Sequence, residues 1–184
     1  MSVMTAANQL TLLRLLLAPV LALCIFYGLT GWALVTFAVA SVTDLFDGLL
    51  ARRTGPTTLG AWLDPLADKF LLDTMFVMLA IPEFAPVARL PVWLPVLVIS
   101  RDLAIVLTVV VVNLAVAQRT FRPSFLGKAT TVAYIVTGVI ALAMNYFGSP
   151  SPLFQASIWV SLGLTIVSGF EYLLKLRPRL RDQS

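Results

Sequence analysis

Six stretches of the chain are each long and apolar enough to form a helix that crosses a hydrocarbon layer. They lie near Leu10 to Tyr27, Gly31 to Leu50, Leu59 to Ile81, Leu90 to Val116, Leu126 to Phe147 and Phe154 to Leu174. A layer about 30 Å thick takes about 20 helical residues, and in lipid only helices or closed barrels satisfy their own backbone polar groups. Composition agrees, because only 12% of the 184 residues are charged, about half the share in a soluble domain. The chain therefore reads as an all-α polytopic membrane protein, a single domain over residues 1–184 with six transmembrane helices. Pro82, Pro86 and Pro91, then Pro150 and Pro152, read as helix stops in the third and fifth connections. The first stretch is not read as a cleaved signal peptide, because no basic residue precedes it and Arg14 interrupts it.

Basic residues orient the six crossings. Arg52 and Arg53, Arg119 and Arg122, and Lys175, Arg177, Arg179 and Arg181 all fall on one side, whereas Arg89 stands in a connection on the other. The positive-inside rule then puts both termini in the cytoplasm, and the expected location is the cell inner membrane. The net charge of +4 is spent on topology and lipid headgroups and does not point to nucleic acid. Trp32, Trp62, Trp93 and Trp159 lie near span ends, where belt anchoring is the simplest reading.

There is no histidine, which removes imidazole metal sites and histidine bases. The single cysteine, Cys24, sits in an apolar run and reads as a small packing residue. Acid-base work falls to carboxylates or lysine. Asp44 and Asp47 are three apart near the end of the second stretch, and Asp64 and Asp68 are four apart near the start of the third, so each pair shares one helix face. A short loop joins the two helices, which lets the pairs face each other at one depth. A lone aspartate near a helix end is usually interfacial or paired, and Lys69, Arg52 and Arg53 stand close enough in sequence to neutralise some of this charge. Four acids at this spacing mark a functional site, because ionisable groups are costly in a membrane. Crowded carboxylates need cations, and hard oxygen donors suit Mg²⁺, Mn²⁺ or Ca²⁺. Gly48, Ala51 and Gly60 are small enough for a ligand to approach backbone. With Arg52 nearby, a diphosphate bridged by two divalent cations suits the group. Asp73, farther along the third helix, reads as structural.

Asp44-x-x-Asp47-Gly48-x-x-Ala51-Arg52 followed by Gly60-x-x-x-Asp64-x-x-x-Asp68 resembles the signature of the CDP-alcohol phosphatidyltransferases, membrane enzymes of phospholipid synthesis. Eight fixed positions make the match specific. The interval from Arg52 to Gly60 is one residue shorter than the commoner pattern, and the turn at Gly55-Pro56 can absorb the difference. The resemblance implies six helices, usually in a homodimer, with the active site near the cytoplasmic face. It also implies transfer of a phosphatidyl group from CDP-diacylglycerol to an alcohol, releasing CMP. Position by position, Asp44, Asp47, Asp64 and Asp68 hold a two-metal site for Mg²⁺ or Mn²⁺, and Asp68 is also the general base. Gly48, Ala51, Arg52 and Gly60 line the CDP pocket.

"NQLTLLR" at Asn8 to Arg14, and "LGK" with Thr130, resemble the branch that makes phosphatidylglycerophosphate and the related cardiolipin synthases. A glycerol-type acceptor follows, either glycerol 3-phosphate or phosphatidylglycerol, with Arg101 and Lys128 as the groups for its phosphate. The plainer reading of Arg101 is an ion pair with Asp102. Two other classes share the acids. A divalent-cation transporter or channel needs an acidic path to the far side, which this chain lacks, and an intramembrane prenyltransferase needs more spans than 184 residues provide.

Overall fold

The computed structural model describes the backbone of residues 6–54, 60–116 and 125–181, and side chains over 12–43, 69–104, 107 and 125–171. Six helices run α1 Ala6–Phe26, α2 Thr30–Thr54, α3 Gly60–Ala80, α4 Trp93–Val116, α5 Phe125–Phe147 and α6 Pro152–Arg181, with no strand among the described residues. The all-helical expectation holds. By length and composition, Phe125–Phe147 and Pro152–Glu171 are able to cross a membrane. The chain divides into two compact units. One comprises residues 1–90 and 138–150, the other 91–137 and 151–184.

In the first unit α1 packs against both α2 and α3. Its buried stripe is Arg14, Ala18, Leu21 and Ile25, a spacing of four, three and four that keeps one helical face inward. Ala33, Phe37 and Ala40 of α2 and Leu72, Met75, Phe76 and Leu79 of α3 are buried as well. The outward faces are apolar as well: Leu16 is 66% exposed, and Val20, Leu23, Val35 and Val39 are also exposed. A helix apolar all round belongs either in a large core or in lipid.

The α1–α2 turn is a Schellman motif. Gly28 at φ 70° donates to the Ile25 carbonyl, and Leu29 donates to the Cys24 carbonyl; the left-handed conformation favours glycine there. Beyond α3, Arg89 Nε donates to the Ala80 carbonyl at 3.1 Å, satisfying a carbonyl at the helix end. Asn145 of α5 holds the connection from the other side. Its Oδ1 accepts from the Val87 and Ala88 amides, and its Nδ2 donates to the Ala88 carbonyl.

Two helix starts differ from the sequence reading. The fourth helix begins at Trp93 and not near Leu90: Leu90 is tied back through its amide to the Leu79 carbonyl, and the Leu94 amide closes a turn onto the Pro91 carbonyl ahead of the helix. Pro152 is not a stop but the first residue of α6, where a missing N–H costs nothing. Ser151 caps that end, its Oγ accepting from the Leu153 amide at 3.3 Å.

In the second unit α4 packs on α6, and the Trp93 and Trp159 rings lie 6.5 Å apart. Exposure of Trp32, Trp93 and Trp159 fits a belt at the polar boundary. A line of hydroxyls joins α5 to α6. Thr130 donates to the Leu164 carbonyl, Tyr134 and Thr165 share a hydrogen bond of 2.5 Å, and Thr137 and Ser161 share one of 2.9 Å.

Candidate active site

The acids sit on α2 and α3. Asp44 and Asp47 lie in the last three turns of α2, and Asp64 and Asp68 in the first three turns of α3. Five residues, 55–59, separate the two helices, and both helices pack on α1. Chain connectivity therefore brings the four positions to the same end of the first unit. The side chains of Asp44, Asp47, Gly48, Ala51, Arg52, Gly60, Asp64 and Asp68 lie outside the described residues. A donor set of four carboxylates on two helices so joined fits hard divalent cations such as Mg²⁺ and Mn²⁺.

The two acceptor candidates belong to the second unit. Arg101 Nη1 donates to Asp102 Oδ1 at 3.2 Å, with both side chains 13% exposed. Arg101 Nε is buried and makes no hydrogen bond among the described residues, so the guanidinium keeps donor capacity beyond Asp102. Lys128, in the first turn of α5, is exposed, and Thr130 two residues on is buried. Both the ion pair and the free donor edge are thus present, and the pairing with Asp102 leaves the acceptor role of Arg101 open.

The burial of one group escaped the sequence reading. Arg14, read there as an interruption of an apolar run and as the end of the "NQLTLLR" element, is 1% exposed and the largest fully buried side chain among the described residues. Its spacing to Ala18, Leu21 and Ile25 was the available signal, although Leu12, Leu16, Val20 and Leu23 form an equally apolar stripe on the other face.

Comparison with known proteins matches residues 4–167 to the CDP-alcohol phosphatidyltransferase family. A probable phosphatidylglycerophosphate synthase of Mycobacterium tuberculosis is 37% identical, the alignment covering 96% of this chain and 82% of that protein. The CDP-diacylglycerol–glycerol-3-phosphate 3-phosphatidyltransferase of Escherichia coli is 33% identical over 95% of this chain and 96% of its own length. Human cardiolipin synthase (CMP-forming) is 30% identical, with 91% of this chain and 60% of the human protein aligned. With a match over this much of its length, the chain belongs to the CDP-alcohol phosphatidyltransferase family, the enzymes that move a phosphatidyl group from CDP-diacylglycerol in phospholipid synthesis.

Proposed function

We propose that the enzyme transfers its phosphatidyl group to a glycerol-type acceptor, at a site near the cytoplasmic face of six membrane crossings, with both termini in the cytoplasm and the homodimeric assembly usual in the family. The observation that carries the site is the placement of both acid pairs at one end of α2 and α3, two helices held on the same α1. Asp44, Asp47, Asp64 and Asp68 hold Mg²⁺ or Mn²⁺, and Gly48, Ala51, Arg52 and Gly60 receive the CDP portion. Cations held by these carboxylates would supply charge neutralisation for the diphosphate and for the departing CMP. Asp68 takes the acceptor hydroxyl's proton as its oxygen attacks phosphorus. The apolar outward faces of the helices support a bilayer location.

Arg101 and Lys128 bind the acceptor's phosphate. Six crossings make α4 and α6 parallel, and the Trp93–Trp159 contact then sets Arg101 at the level of Val167. On α5, the Thr130–Leu164, Thr137–Ser161 and Tyr134–Thr165 bonds put Lys128 level with residues 166–171 of α6, which supports the two cations serving one acceptor. Glycerol 3-phosphate as acceptor is supported by the M. tuberculosis and E. coli relatives, aligned over nearly the whole chain. Phosphatidylglycerol, which would give cardiolipin, is supported by the charge Arg101 shares with Asp102 and by the absence of a second arginine in α4. A phosphodiester carries less charge and needs fewer cations.

The test offers purified protein CDP-diacylglycerol and Mg²⁺ with glycerol 3-phosphate, phosphatidylglycerol, inositol phosphate or serine, and records CMP release and the lipid formed. Turnover with either of the first two is expected. If only serine or inositol phosphate is consumed, the glycerol-type assignment is wrong.

A further inference from the structure

The first unit carries a buried cation for which the reaction above has no use. Arg14 is 1% exposed on the stripe by which α1 meets its neighbours, and those neighbours are α2 and α3, the acid-bearing helices. Depth can be counted from the far end of the unit, where the Gly28 turn joins α1 to α2 and the Phe26 ring packs on Phe84 just past α3 at 5.0 Å. Arg14 stands twelve residues from Phe26, Asp44 fourteen from Thr30 and Asp68 twelve from Ala80. At 1.5 Å per residue these are depths of about 18, 21 and 18 Å. Asp47 and Asp64 fall about one turn deeper.

From this placement we propose that Arg14 is a positioning residue of the active site. Its guanidinium is a fixed internal counter-charge that holds the α2 and α3 acid pairs together when no divalent cation is bound. The role rests on the metal-binding reading of those acids. Four carboxylates within about two turns repel one another when the cations leave, and a buried arginine on the helix that contacts both acid-bearing segments opposes that repulsion. An arginine suits the task because it stays charged when desolvated. Divalent cations take over most of the compensation when they bind, so the importance of Arg14 depends on metal occupancy. A side chain that merely filled space would matter equally in both states.

The experiment measures thermal unfolding of the full chain in detergent, with EDTA and with saturating Mg²⁺, for wild type, Arg14→Met and Arg14→Lys. Arg14→Met should lower Tm by roughly 5–10 °C in EDTA, and Mg²⁺ should shrink that loss to less than half. Arg14→Lys should recover most of it. An equal loss in EDTA and in Mg²⁺ overturns the proposed role and leaves the metal reading intact. A wild-type Tm that Mg²⁺ does not move overturns the metal reading and this role with it. Should Arg14→Met fail to fold, the double variant Arg14→Met/Asp44→Asn decides, because removing one acid restores folding if charge balance is the cause. A double variant that also fails to fold assigns Arg14 to packing.

Discussion

A single carboxylate can separate proton transfer from metal binding. Asp68 lies one turn beyond Asp64 on α3, and the proposed function makes it both a cation ligand and the base. Asp68→Asn is expected to keep much of the affinity for CDP-diacylglycerol, since three carboxylates remain, while turnover falls by about two to four orders of magnitude. Asp64→Asn is expected to weaken nucleotide binding and turnover together. CDP-lipid affinity and initial rate, measured for both variants at saturating Mg²⁺, distinguish the two. Near-normal rates in Asp68→Asn would move the base elsewhere. These aspartates stand out in the sequence because a charge inside an apolar run is visible whatever surrounds it, and their role rests on the proposed function. Arg14 was equally visible as a charge but not as a buried one. In lipid the inward stripe Ala18, Leu21, Ile25 and the outward stripe Leu16, Val20, Leu23 are both apolar, so periodicity alone does not say which way the helix faces.

Among the elements, the connection from α3 to α4 is the most dependent on one side chain. Asn145 makes two bonds to the Val87 and Ala88 amides and one to the Ala88 carbonyl, and Nδ2 also donates to the Ala141 carbonyl at 2.8 Å. Ala88 is buried, so Asn145→Ala leaves backbone groups without partners at a cost of about 1–3 kcal/mol. A lower Tm and faster proteolysis within residues 82–92 are the expected signs. Asn145→Asp, which keeps the accepting oxygen, should fall between. Such polar clamps escape a sequence reading because an asparagine 58 residues away from its partner carries no local signature. The same limit explains the helix starts. Leu90 continues an apolar run in sequence, but its amide bonds to Leu79, and Pro152 reads as a breaker until Ser151 is seen to cap the helix it begins.

For the whole molecule, the number of crossings decides which chemistry is accessible from which side. Cys24, half-buried in α1, is first replaced by alanine so that introduced cysteines report alone. Probes placed in residues 52–58 and in the tail beyond Arg181 are expected to be shielded from an impermeant thiol reagent outside intact cells. Probes at Ser149 or Ser151, in the exposed connection after α5, are expected to react. The reverse labelling would invert the site. The basic residues alone yield this topology as an expectation, because loop charge acts during insertion and needs no tertiary contact.

The hydroxyls between α5 and α6 recur with nearly the period of one turn: Thr130, Tyr134 and Thr137 on one helix, and Ser157, Ser161, Thr165 and Ser168 on the other. Slide α6 past α5 by a turn, about 5.4 Å, and Thr137 meets Thr165 while Tyr134 comes to the level of Ser168. The seam is thus a ratchet whose teeth match in more than one notch, and hydrogen bonding alone does not choose between them. The choice falls to the connection, where Gly148 at φ 66° closes α5 onto Met144 and Ser151 starts α6 within four residues. That short tether acts as the pawl: it fixes which notch the seam occupies.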